Sequence, residues 1–186
     1  MYSMKKIMMI AALLVATLSA SAQGMYLKPM VGGTLSTFRG SDVADQKMKV
    51  GLVAGAEFGY NFAENMGFTA GLLYTMEGSK SKGADYNNNL DYLNIPILFN
   101  YYIIPGLAVK AGVQPGFLVR AKYDDTDIKD LYKKFDFAIP LGVSYEFSDF
   151  VIDARYNLSL TKIPDHGDAK VYNSVIQLTL GYKIPF

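Results

Sequence analysis

The sequence has no cysteine, no tryptophan and a single histidine, His166. Without cysteine there can be no disulfide and no lipidated N-terminal cysteine, and one histidine leaves nothing for a histidine-based metal centre. After residue 22 no apolar run reaches the about 18 residues that a membrane-crossing helix needs. Charge of one sign is also missing: 18 Lys and Arg stand against 17 Asp and Glu, for a formal net charge of +1. A chain so balanced offers no basic field for nucleic acid and no acidic tail. No phosphate-binding glycine motif and no Cys/His cluster occurs.

The chain does have apolar and aromatic residues, at 51% and 13% of its 186 residues. Residues 1–22 read as a secretory signal peptide. Lys5 and Lys6 supply the positive start, Ile7 to Leu18 a twelve-residue apolar run, and Ala20-Ser21-Ala22 a small-x-small cleavage pattern. Twelve residues in a helix cover about 18 Å of a roughly 30 Å hydrocarbon layer, too little for an anchor. Cleavage near Ala22-Gln23 would leave a domain of residues 23–186 and remove two lysines, taking the formal charge from +1 to −1.

Eight segments of the remaining chain alternate apolar and polar residues with a period of two, the pattern of a β-strand with one greasy and one wet face. They run at about 25–38, 49–62, 67–77, 91–103, 107–122, 135–147, 150–162 and 174–186. The sixth is the most regular: Phe135, Phe137, Ile139, Leu141, Val143, Tyr145 and Phe147 alternate with Asp136, Ala138, Pro140, Gly142, Ser144 and Glu146. In the first, Gly32 and Gly33 blur the alternation. Polar loops at about 39–48, 78–90, 123–134 and 163–172 follow the odd segments, and tight turns follow the even ones. That asymmetry, with an even strand number, predicts an eight-stranded antiparallel up-and-down transmembrane β-barrel in an outer membrane, its termini and short turns on the periplasmic side.

The wet rows hold Lys28, Lys110, Arg120, Arg155 and Lys183 together with Glu57, Glu77, Asp136, Glu146 and Asp153. A charge facing lipid near the midplane costs about 2–4 kcal/mol, so these rows should face the lumen. Eight strands leave a bore that side chains just fill. Five charges of each sign there predict a polar, salt-bridged plug, with a narrow ion or solute channel as the alternative. Phe and Tyr girdle the apolar face at both ends. Pro96, Pro115 and Pro140 fall inside strands, where a missing N–H predicts bulges or local distortions.

An enzyme is a remote alternative. A Ser-His-carboxylate lipid hydrolase would have to use His166, which sits between Asp165 and Asp168 in a turn-forming P-D-H-G-D run. That run and Asp124-Asp125-Thr126-Asp127 carry oxygen donors for Ca²⁺, but neither has EF-hand spacing. The expectation is therefore no catalysis, no cofactor and no metal.

Leu93-Asn94-Ile95-Pro96-Ile97 is similar to the L-x-I-P signature of the PorT-like outer-membrane β-barrels common in Bacteroidetes. Gly112 to Leu118, Arg155 to Leu160 and Gly181 to Phe186 are similar too, as is the Ala-Gln cleavage junction. The resemblance implies an integral outer-membrane protein, and a few members of that group assist protein secretion to the surface. The expected role is structural or surface-interacting through the external loops, whose partner the residues do not identify. Ser174–Phe186 should close the barrel against the first strand and remove both sheet edges. Its Tyr182, Ile184 and Phe186 resemble the C-terminal signal read by outer-membrane assembly machinery. The expected partners are thus outer-membrane lipid and that machinery.

Overall fold

In the computed structural model the structure describes residues 24–40, 46–81, 87–123, 126–127, 129, 132–163 and 170–186. The expected leader, together with Asp124, Asp125, Asp165, His166 and Asp168, lies outside the described residues. The strands are β1 (Met25–Arg39), β2 (Gln46–Ala63), β3 (Met66–Ser81), β4 (Asn87–Asn94), β5 (Ile97–Ile104), β6 (Leu107–Tyr123), β7 (Thr126–Asp127), β8 (Phe135–Phe147), β9 (Phe150–Ser159), β10 (Tyr172–Tyr182) and β11 (Ile184–Pro185). They form one antiparallel sheet whose ends meet. β4 and β5 share one place in the ring, β10 and β11 another, and β7 is a short outgrowth on β6, so the wall has eight strands.

Closure is made where the C-terminal segment was expected to make it. β1 pairs with β10 from Met30↔Gly181 to Arg39↔Tyr172, and with β11 at Tyr26↔Pro185 and Leu27↔Ile184. The periplasmic turns hold two residues each: Glu64-Asn65, Pro105-Gly106 and Ser148-Asp149. Pro105 pre-sets the first bend, and Gly106, at φ 85°, supplies the left-handed backbone that follows. At the other end several strands run beyond the expected limits. β3 reaches Ser81 and β4 starts at Asn87, so the wall is taller there and that external loop shorter than expected.

Alternation decides the two faces. Val50, Leu52, Phe68, Leu72, Leu141, Val143, Leu178 and Leu180 are exposed on the outer surface, where lipid covers them. Near the periplasmic end the aromatics pack against one another, some stacked and some edge to face. Phe68 lies 5.3 Å from Phe62 and 5.4 Å from Phe99, while Phe150 lies 5.8 Å from Phe147 and 5.3 Å from Tyr182. Rings at this level match the interfacial girdle of membrane barrels.

The prolines distort the wall without the expected bulges. Pro96 divides one strand into β4 and β5, yet Asn94↔Gly116 and Ile97↔Val113 keep one register across the break. Ile95 N–H donates to Pro115 O and Gly71 N–H to Pro96 O, so the carbonyls still serve neighbouring strands. A proline loses only its donor, and here the ladder skips that rung without slipping. The register shifts fall elsewhere, one of them between Asp91 and Tyr92.

Candidate functional site

The lumen is filled in layers, and its lower half is ionic. Lys28 on β1 and Glu57 on β2 are cross-strand neighbours, and Lys28 Nζ lies 2.8 Å from Glu57 Oε2. Asp153 and Arg155 lie two apart on β9 and share its inner face. The Arg155 guanidinium forks onto Asp153, Nε to Oδ1 at 2.7 Å and Nη2 to Oδ2 at 2.8 Å. Its third nitrogen, Nη1, reaches Glu57 Oε1 at 2.5 Å. β1 and β10 separate β2 from β9, so this contact spans the lumen. Lys110 Nζ of β6 completes the chain at 2.5 Å from Asp153 Oδ2. All five side chains are at most 5% exposed. Planar guanidinium geometry lets Arg155 serve two carboxylates at once.

Glycines on the adjoining strands make the room. A Cβ on Gly71 would meet Glu57 Cγ at 2.6 Å, one on Gly181 Lys28 Cγ at 2.8 Å, and one on Gly142 Arg155 Cγ at 3.0 Å. Each charged stem thus lies flat over a glycine.

Below this layer is the periplasmic mouth. Glu146 accepts from Tyr102 Oη at 2.7 Å and from Lys183 Nζ at 2.8 Å. Lys183 Nζ also stands 4.3 Å from the centroid of the Tyr26 ring. A cavity of about 420 Å³, lined among others by Asn61, Tyr102, Glu146 and Lys183, opens here toward the periplasm.

Above the ionic layer Met30, Val53 and Leu73 form a small buried apolar cluster. Then comes a polar layer of different make. Glu77 receives Asn94 Nδ2 at 3.2 Å and Asn173 Nδ2 at 3.3 Å, and Asp136 receives the Ser159 hydroxyl. Lys49, buried on the same inner row as Glu57, donates to the main-chain oxygen of Glu77 at 2.7 Å. At the outer mouth Phe38, Leu90, Tyr92, Leu118, Ala121 and Ile163 form an apolar cap, against which Tyr132 and Val171 pack. The loops are tied onto it. Lys133 N–H donates to Ile163 O at 2.9 Å and Ile163 N–H to Val171 O at 2.8 Å.

Nine of the ten charged residues read from the pattern stand on the inner face: Lys28, Glu57, Glu77, Lys110, Asp136, Glu146, Asp153, Arg155 and Lys183. The exception is Arg120, whose side chain is 53% exposed and lies 3.6 Å from Asp91 Oδ2 on the outer face. The cause is the shift between Asp91↔Arg120 and Tyr92↔Leu118, which leaves Val119 as an extra residue. Beyond a bulge the alternation reverses, so the position that should face the lumen faces out.

Sequence reasoning missed Lys49 and the whole outer cap. Lys49 had a signal, since it is in step with Glu57 along β2. The cap residues had only a weak one, because Phe38, Tyr92 and Leu118 read as lapses in a polar row and Leu90 fell in an expected loop. Of the assembly residues, Tyr182 and Ile184 face outward, and Phe186 stacks on Phe58 with centroids 6.4 Å apart. Among the described residues no group of three His, Asp or Glu side chains converges in a way that would hold a metal ion.

Comparison with solved structures returns small outer-membrane barrels. The chain is similar to Ail, the attachment invasion locus protein of Yersinia pestis, solved with the heparin analogue sucrose octasulfate. The identity is 18% and the TM-score 0.55, over 87% of this chain and 100% of that one. It is also similar to Neisserial surface protein A, at 17% identity and a TM-score of 0.52, over 89% of this chain and 99% of that one. Identity at this level speaks for the fold alone. No curated protein matches the sequence. The profile of one family matches residues 22–165, most of the chain. Lipid-facing wall, polar lumen and matched profile agree: this chain is a protein of the outer membrane and belongs to the outer membrane protein beta-barrel domain family.

Proposed function

We propose that the protein is a closed barrel without enzymatic activity, and that it works at the cell surface through its external loops. The supporting observation is the ionic chain Lys28–Glu57–Arg155–Asp153–Lys110, which joins walls on opposite sides of the lumen and leaves its members at most 5% exposed. A permeating ion would have to separate charges whose pairing is what makes their burial tolerable. Above them the apolar cap offers an ion nothing to coordinate it. A closed lumen leaves the loops as the part that meets the outside.

The test is planar-bilayer recording of the purified barrel. The expected record shows no discrete single-channel steps; stable steps would overturn the plug in favour of a narrow channel. For the surface role, cells displaying the chain with residues 164–169 replaced by a Gly/Ser linker should lose adherence to an otherwise retained surface, while barrel levels in the membrane stay normal.

The finer assignment is to the PorT-like group, with a secretion-accessory role for some members. It is supported by Leu93-Asn94-Ile95-Pro96-Ile97, whose proline produces the break between β4 and β5. Deleting the gene and finding surface secretion unchanged would count against that role. Outer-membrane assembly machinery is the proposed partner during insertion, engaged through Tyr182, Ile184 and Phe186. Removing Phe186 should lower membrane levels more than changing any loop residue does.

A further inference from the structure

A charged group on the lipid-facing wall needs an explanation, since such positions cost about 2–4 kcal/mol at the midplane and little at the interface. The Arg120 position can be fixed by its neighbours. Tyr74, Leu93, Phe117 and Phe135 form one outward row across β3, β4, β6 and β8, because Tyr74 pairs with Leu93, Leu93 with Phe117 and Phe117 with Phe135. The Phe117 and Phe135 rings are 5.6 Å apart, edge to face. This row belongs to the outer aromatic girdle, which sits at headgroup level. The next outward row is Met76, Asp91 and Arg120. It lies two ladder steps farther out, roughly 5 Å along the axis for a strand tilted by about 40°. Arg120 is thus above the apolar band, among the headgroups of the outer leaflet.

Its surroundings orient it without saturating it. Asp91 accepts the Tyr74 hydroxyl at 2.7 Å, which holds the carboxylate against the wall. Arg120 Nη1 stays 3.6 Å from that carboxylate, an ion-pair distance longer than a hydrogen bond. The Asp91 carboxylate stands on one side of the guanidinium, and the Arg120 side chain as a whole is 53% exposed. More positive charge gathers around the bulge. Lys129 Nζ donates to Val119 O at 3.1 Å, and Lys122 follows on the outward row, opposite Asp127 of β7 in register.

We propose that Arg120 and the bulge that turns it outward form a binding site for the phosphate of an outer-leaflet lipid headgroup. A guanidinium meets phosphate oxygens through two parallel N–H donors. The aromatic row beneath it provides the surface along which the lipid's first methylenes lie. Asp91 keeps Arg120 in place and weakens its field, so the site selects a headgroup charged enough to compete with that carboxylate.

The purified full chain in phosphatidylcholine nanodiscs doped with phosphatidic acid tests this, with retained lipid counted by native mass spectrometry. Arg120→Gln should lower retained phosphatidic acid about five-fold, the factor one basic side chain contributes at an anionic surface. Lys47→Gln removes an equal charge from another strand of the rim and should change nothing. Asp91→Asn keeps an acceptor for Tyr74, removes the competing charge, and should raise retention. Unchanged retention in Arg120→Gln, an equal loss in Lys47→Gln, or a fall in Asp91→Asn would each overturn the site. Full displacement of the lipid by inorganic phosphate in the buffer would overturn its assignment to a headgroup. If Arg120→Gln does not fold, as read by heat-modifiable gel migration, the Asp91→Asn result decides alone.

Discussion

The two halves of the lumen solve one packing problem with different chemistry. In the lower half, three cations and two carboxylates fill the bore as a single cluster, and glycines on the adjoining strands accept their stems. In the upper half, Glu77 and Asp136 are held by amide and hydroxyl donors, and the mouth is shut by Phe38, Leu90, Tyr92, Leu118, Ala121 and Ile163. The lower half depends on every partner being present, because a buried charge left alone costs far more than a lost contact. The upper half depends on shape and degrades gradually as volume is removed.

The strongest way to break the contrast is Arg155→Met. It leaves Glu57 and Asp153 buried without the guanidinium that bridges them and should destabilise the barrel by about 3–5 kcal/mol. Urea titration of the heat-modifiable band checks this. A loss no larger than that of an ordinary core truncation would erase the distinction between the halves. Leu90→Ala in the cap should cost about 2–4 kcal/mol. In the same titration its effect should add to that of a second cap truncation far from it, whereas Arg155→Met and Glu57→Gln should be strongly non-additive. Gly181→Val places a branched side chain against Lys28 and should cost about 1–3 kcal/mol by overpacking. Gly33→Ala, whose Cβ meets nothing nearer than 3.8 Å, should fold normally in the same assay. The smallest effect is expected at the mouth. Lys183 and Glu146 are 20% and 18% exposed, so Lys183→Met should cost under about 1 kcal/mol and lose even that in high salt.

Much of the wall was legible because strand alternation is strictly local. Each residue's face follows from its neighbours by a period of two, and membrane and lumen demand opposite polarity. Lys28, Glu57, Asp153 and Arg155 could therefore be placed inside before any pairing was known. Arg120 could not. A bulge adds one residue without changing the local pattern, and it shows only when the partner strand is laid alongside. The prolines illustrate the same limit in reverse: bulges or local distortions were expected, and Pro96 interrupts its strand while the register is kept across the break.

The sequence by itself determined the destination, the strand number, the closing role of the last strand and the polarity of both faces. All of these are one-dimensional signals of period, loop length and composition. Tertiary structure alone decided which charges meet, because the stagger between strands sets the height of each side chain in the bore. It also decided that the outer mouth is sealed by apolar residues from β1, β4 and β6 and the segment after β9, residues far apart in sequence whose cohesion exists only once the ring has closed. And it decided that Arg120 faces the membrane, since one extra residue opposite Asp91 reverses a face that no local pattern could reverse.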